Sequence, residues 1–381
     1  MRILYHHRIA SKDGQYVHVE ELTNALIEAG HELHFVCPQF AENTDFGDEG
    51  GIATRLKAAL PKWIYELLEL SYSLLIAAKL IRAIIQFRPD FIYERYNLYQ
   101  PVGVIIAKLF RLPILMEVNA PLVQERSRYS GLALPRFAKV IENFTWRWST
   151  YALPVTQVLA EHVIEAGVDS DRIVVVPNGI NQQVLKDLDK RPDDKKTSDR
   201  ITIGFTGFIH PWHGLDMALQ SIAETNAASG NKKIHFLCVG EGDIRPDLEQ
   251  QAKDLGIEKQ IEFTGLVSRD AVFDYVAQFD IALQPSVTAY ASPLKLFEYL
   301  AVGALVIAPD MPNIREIISE ESALLFEPDK ENGFYEQLVF ALNHYDELDG
   351  MRRAARQLIV DKQLTWQENA AKVASLVEAK R

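Results

Sequence analysis

The segment Pro285–Gly303, PSVTAYASPLKLFEYLAVG, sets a lysine and a glutamate three residues apart at the start of an apolar-periodic helix. Ser292 is placed to cap that helix, Pro293 suits its first position, and Lys295 falls in its first turn. The spacing puts Lys295 and Glu298 on one face. A helix N-terminus favours anions, and a lysine beside it favours them further. A carboxylate one turn on accepts hydrogen bonds from sugar hydroxyls. One helix start thus offers what a nucleoside diphosphate sugar needs. For an isolated KxxE the plainer alternative is a solvated ion pair, so the surroundings decide.

Those surroundings are strand–glycine–helix units in series. ITIGFTGFIHPWHGLDMAL from Ile201 gives a strand, Gly207, a loop with His213, then Gly214 and a helix. IHFLCVGEGD from Ile234 ends in Gly240 and Gly242, and IEFTGLVSRD from Ile261 carries Gly265 and Arg269. Such a series builds a parallel α/β sheet whose ligands bind beyond the carboxyl ends of the strands. There Gly207, Gly240 and Gly242 let backbone approach a ligand closely. GEGDIR lacks the third glycine of a dinucleotide fingerprint, which disfavours NAD. There is no GxSxG for hydrolase chemistry and no zinc spacing of His and Cys.

At 381 residues the chain suits two domains, and 48% hydrophobic with 24% charged residues indicates an ordinary globular protein. A net charge of −12 argues against a general nucleic-acid binder. Cys37 and Cys238 end apolar runs and read as buried small residues in a reducing, cytoplasmic setting. The N-terminus MRILYHHRIA is no signal peptide, and no stretch approaches the about 20 apolar residues of a membrane span.

The run from Pro61 to Phe87 is interrupted by Glu66, Glu69, Lys79 and Arg82 and reads as one or two amphipathic helices packed on the N-terminal sheet. Peripheral contact with a membrane surface is the alternative, given Arg55 and Lys57 just upstream and Lys62 and Trp63 at its start. A charged, apolar-poor stretch, QQVLKDLDKRPDDKKTSDR, separates two alternating halves as a linker or surface loop. Its DLD, Asp187–Asp189, reads as solvated charge rather than a metal site.

The order GFTGF…HG, VGEGD, FTGLVSRD, LQPS…SPLKLFEYLAVG resembles the donor half of glycosyltransferase family 4. DGQYVHVEELTNALIEAGHELHFV resembles its N-terminal glycine loop and helix, and PNGI its hinge-side motif. The resemblance implies the GT-B fold: two Rossmann-like α/β domains facing each other across a cleft. Residues 1–176 would form the acceptor domain, 177–363 the donor domain, and the helix 364–381 would cross back.

By resemblance Glu298 binds the ribose hydroxyls, and the family's first glutamate falls at Tyr290. The family's arginine and lysine fall at Phe208 and His213, which removes fixed positive charge from the diphosphate site. Lys295 is the replacement, with Arg269 and His213 as helpers and Ser292 beside them. His213 packed on Trp212 as a plain loop histidine is equally open.

On the acceptor side stand Gly14, Gln15 in place of a second glycine, His18, and Glu117 and Asn119 where relatives place a histidine. Lys295, Glu298, Glu117 and Asn119 are the catalytic candidates, ahead of His6 or His7. Glu94 and Arg95 close a strand nearby, with a surface pair as their plain reading.

The implied activity is retaining transfer from a nucleotide sugar to a hydroxyl acceptor, in polysaccharide, glycolipid or glycoconjugate assembly. It needs no metal or other cofactor. A nucleotide-sugar 2-epimerase and a catalytically silent GT-B binding protein remain the alternatives.

Overall fold

A computed structural model describes residues 1–9, 14–38, 60–190, 200–228 and 233–378. The chain divides into two compact units, Met1–Pro177 with Gln367–Arg381, and Asn178–Trp366.

In the first unit the apolar runs form β1 (Arg2–His6), β2 (Glu32–Val36), β3 (Phe91–Arg95), β4 (Ile114–Val118) and β5 (Tyr151–Pro154). They make a parallel sheet in the order β2-β1-β3-β4-β5, with Leu4 facing His34 on one side and Ile92 on the other. Every position of β3 and β4 is buried, as a parallel sheet covered on both faces requires.

The second unit holds β6 (Arg200–Thr206), β7 (Lys233–Val239), β8 (Ile261–Phe263), β9 (Ile281–Leu283), β10 (Leu305–Pro309) and β11 (Leu324–Phe326). Their order is β11-β10-β9-β6-β7-β8, again parallel. Both sheets are doubly wound. The strand order reverses between β1 and β3 and between β6 and β9, and a ligand crevice opens beyond the carboxyl ends at such a point.

Residues 62–87 form one continuous helix. Its glutamates turn inward and hold other segments. Glu66 accepts from the Tyr99 hydroxyl at 2.8 Å and from the amides of Ala133 and Leu134 at 2.6 and 3.0 Å. Glu69 takes a two-pronged bond from Arg126 at 2.7 and 3.1 Å.

The first part of the charged stretch is not a loop. Gln182–Asp189 is a helix, capped by the Asn181 side chain on the Gln183 amide. Within it Asp187 pairs with Lys190 and Asp189 with Arg356. Residues 191–199 and the basic pair Arg55 and Lys57 lie outside the described residues.

The last helix, Trp366–Glu378, ties into the first unit. Asn369 donates to the Pro177 carbonyl at 2.7 Å, Lys372 to that of Val175 at 2.8 Å, and Gln367 to Glu28 at 3.0 Å.

Candidate functional site

At the β6/β9 switch point the chain builds an unpaired cation. Lys295 is half-buried as a residue, but its Nζ is closed off from solvent and has no hydrogen-bond partner. It lies 3.9 Å from the centroid of the Phe205 ring, at the end of β6. Burial pulls the ammonium down from its ordinary 10.5 to about 7, against the raising influence of Cys238 and Glu298.

Gly207 faces it. With φ +123°, Gly207 sits where glycine is favoured, and a Cβ there would come within 3.3 Å of Lys295 Cε and 3.4 Å of its Nζ. The ammonium, the Gly207 backbone and the amino end of the helix Leu294–Ala301 thus converge on one small volume. Such a volume attracts an anion.

The helix starts one residue later than the sequence suggests. Pro293 is the cap position and makes no side-chain cap bond. Ser292 does not cap. Its hydroxyl accepts from the Asn178 amide at 3.1 Å, and its carbonyl accepts from Asn178 Nδ2 at 2.5 Å. Asn178 belongs to the PNGI segment, so this long-range tie fixes how the helix start is presented.

Glu298, 7% exposed, pairs with Arg269 Nη1 at 3.1 Å and not with Lys295. Arg269 therefore screens the glutamate expected to bind ribose, instead of standing free for a diphosphate. The neighbouring Tyr299 hydroxyl accepts from the Thr206 amide at 2.9 Å and anchors the helix to β6. Tyr290 lies half-buried in the turn before the helix.

His213 is a neutral acceptor. Burial first, then the Lys295 charge, holds its pKa down at about 2. Its Nδ1 accepts from the His210 amide at 3.3 Å, and its ring meets Phe205 at 5.4 Å. Its ring also meets that of Trp212, tilted at 6.0 Å and 58°, while Trp212 stacks more closely on His210 at 4.3 Å and 17°. Phe208 is half-buried beside His210, at 6.4 Å between ring centroids.

Gly240 and Gly242 serve packing between loops. A Cβ on Gly240 would stand 2.1 Å from the Gly207 carbonyl oxygen, and one on Gly242 2.0 Å from that of Ile209. The close approach the sequence suggested is real, but at these two positions the approaching group is the 207–209 backbone. Cys238 is buried, its thiol pushed up to about 12 by burial.

In the first unit Gly14 opens the helix Gly14–Glu28, with Gln15 exposed beside it. His18, on the same helix, places Nε2 3.1 Å from Glu117 Oε2. Glu117 also accepts from Arg95 at 2.6 Å, from the Tyr93 hydroxyl at 2.8 Å and from Asn119 Nδ2 at 2.5 Å. Burial would raise its pKa, but His18, Arg95 and these hydrogen bonds outweigh it and hold the carboxyl well below its ordinary 4.5.

All the acceptor capacity of Glu117 is engaged, so the geometry makes it an ionised anchor rather than a proton acceptor. Glu94 and Arg95 are not a surface pair. Both are buried, with Glu94 on His6 Nδ1 at 2.9 Å and Arg95 on Glu117. Burial, then His6 and Arg95, lowers His7 to about 4. Tyr93 and Asn178 carried no signal of their own in the sequence beyond lying in a strand and in PNGI.

Residues 12–184 match the family described as Glycosyltransferase Family 4, and residues 200–344 match Glycosyl transferases group 1. The chain belongs to glycosyltransferase family 4. Family resemblance extends to individual enzymes. The chain is 24% identical over 167 residues to the phosphatidylinositol N-acetylglucosaminyltransferase GPI3 subunit of Saccharomyces cerevisiae, covering 43% of this chain and 36% of that one. It is 29% identical over 197 residues to the 2-deoxystreptamine glucosyltransferase of Streptomyces kanamyceticus, covering 51% and 45%. The matches thus span less than half the length of these relatives.

The fold is shared with Anabaena HepE, solved in complex with UDP, at a TM-score of 0.71 and 15% identity over 100% of both chains. This likeness establishes a two-domain α/β GT-B fold.

Proposed function

We propose that this family 4 member is a retaining hexosyltransferase that takes its sugar from a nucleoside diphosphate sugar and needs no metal. The observation that carries this is the buried, unpartnered Lys295 ammonium at Gly207 and the helix start. A cation held without a partner is costly, and a diphosphate is the anion that would complete it. Glu298, released from or shared with Arg269, would take the ribose hydroxyls.

In the reaction the acceptor hydroxyl attacks the anomeric carbon on the face the diphosphate leaves. The hydroxyl proton passes to the departing phosphate oxygen. Lys295 and the helix dipole stabilise charge on that oxygen as it develops. Phe208 and His213, both uncharged, leave Lys295 with most of this task. That HepE was solved with UDP, and in a further structure with UDP-glucose, makes UDP the first ligand to try. Synthesis of a polysaccharide, glycolipid or other glycoconjugate in the cytoplasm is the setting we favour.

Calorimetric titration with UDP and other nucleoside diphosphates tests this. Binding by one nucleotide, lost in Lys295→Ala, supports the reading. A folded protein that binds none of them would overturn it in favour of a silent GT-B protein, and epimer formed from donor alone would make it an epimerase.

A further inference from the structure

We propose that the outer helical face of the first unit docks on an anionic lipid bilayer. The helices Lys62–Phe87, Val102–Phe110 and Pro135–Trp148 lie in the connections β2 to β3, β3 to β4 and β4 to β5. These connections step the same way across the sheet, and right-handed crossovers then place all three helices on one side of it. Lys108 Nζ lies 5.2 Å from the Trp148 ring centroid and joins the second helix to the third.

The outward side of this layer is apolar where a solvated helix would be polar. Leu74 is 75% exposed, Leu109 71% and Val140 66%, with Leu67, Ile85 and Trp148 exposed beside them. On the long helix Leu67, Leu74 and Ile85 recur after 7 and 11 residues, close to whole numbers of turns, so they form one stripe. Isolated exposed leucines need no explanation, but a stripe continued on two neighbouring helices does.

Charge selects the occupant. Residues 62–88, 102–111 and 135–148 hold nine basic and three acidic residues, in a chain whose net charge is −12. All nine basic residues are exposed. The three acids, Glu66, Glu69 and Glu142, are 4%, 8% and 0% exposed and each is hydrogen-bonded inside the unit. The face therefore shows cations and hydrocarbon together. A second copy of the face would set like charges against each other, whereas anionic headgroups and acyl chains match both features. Trp63 and Trp148, about half exposed at 51% and 42%, suit the interfacial zone. This inference stands apart from the donor-site reading.

Co-sedimentation of the full chain with phosphatidylcholine vesicles, with and without phosphatidylglycerol, is the test. We expect about tenfold or stronger preference for the anionic vesicles, weakened by salt and lost in Leu74→Glu/Leu109→Glu with the melting midpoint unchanged. If that variant melts early, the charge reversal Lys79→Glu/Arg82→Glu supplies the same readout. Equal binding to both vesicle types, or none, would overturn the proposal. So would variants that bind like wild type, or a dimer in solution that Leu74→Glu/Leu109→Glu splits.

Discussion

At the scale of single residues, Lys295 costs the fold stability, and on the proposed reading that cost serves binding. Its folded pKa, about 7, lies below the ordinary 10.5. Between those values the unfolded chain holds more protons, so this group makes stability rise with pH there and leaves its full cost below about 7. Lys295→Met, which keeps the volume without the charge, should raise the midpoint of thermal unfolding near neutral pH by roughly 2–8 °C. The same change should weaken nucleoside diphosphate binding by about 30-fold or more, the loss of a charge-assisted contact. In the wild type, affinity should fall by up to about tenfold per pH unit above neutrality, because binding must first return a proton to the amine. Proton uptake on binding, read from titrations in buffers of different ionisation enthalpy, checks this. Binding that is flat with pH would remove Lys295 from the diphosphate.

Glu117 shows the opposite economy. Its folded pKa lies below the ordinary 4.5, so it stabilises the first unit above that pH and the contribution fades on acidification. Arg95→Met leaves this carboxylate buried without its guanidinium and should cost about 3–5 kcal/mol near neutral pH. Urea unfolding measures it, and the deficit should shrink as the pH falls below 4.5. The sequence marked Glu117 and Asn119 as worth notice. It did not reveal that four side chains saturate Glu117, because Tyr93, Arg95 and His18 reach it from another strand and a helix.

At the scale of elements, the strand–glycine–helix rhythm was legible because turn chemistry and hydrophobic runs are local. The start of the helix Leu294–Ala301 was misread by one residue because a distant segment, Asn178, takes the Ser292 hydroxyl that would have capped it. Likewise, nothing local shows which glycine faces ligand space and which faces its own chain. The three glycines should therefore separate under substitution. Gly240→Ala and Gly242→Ala each push a methyl to about 2 Å from a backbone oxygen and should destabilise by several kcal/mol, about 3 or more, since backbone must move. Gly207→Ala meets only the far end of a flexible lysine. It should fold with a smaller loss of about 1–2 kcal/mol from its positive φ, while nucleotide affinity drops. Thermal melts beside titrations decide it, and Gly207→Ala binding at full strength would exclude close approach there.

At the scale of the whole chain, two doubly wound sheets imply two cores that respond separately to ligand. The switch point carrying Lys295, Gly207 and Glu298 lies wholly within Asn178–Trp366. A nucleoside diphosphate seated there stabilises by mass action, about 2.7 kcal/mol at a hundred times its dissociation constant. Hydrogen exchange should then slow in the segments around Gly207, Gly240 and the start of the helix Leu294–Ala301. Amides of β1, β3 and β4, in the other unit, should exchange as before when nucleotide alone is present. The closing helix gives the converse. Ala370, Val373 and Val377 are buried, and Asn369 and Lys372 bond to the chain at 175–177. Deleting residues 367–381 should thus speed exchange in the first unit and leave nucleotide protection in the second intact. Nucleotide that protected both units equally would mean the cores are coupled and that binding in the second unit is felt throughout the first.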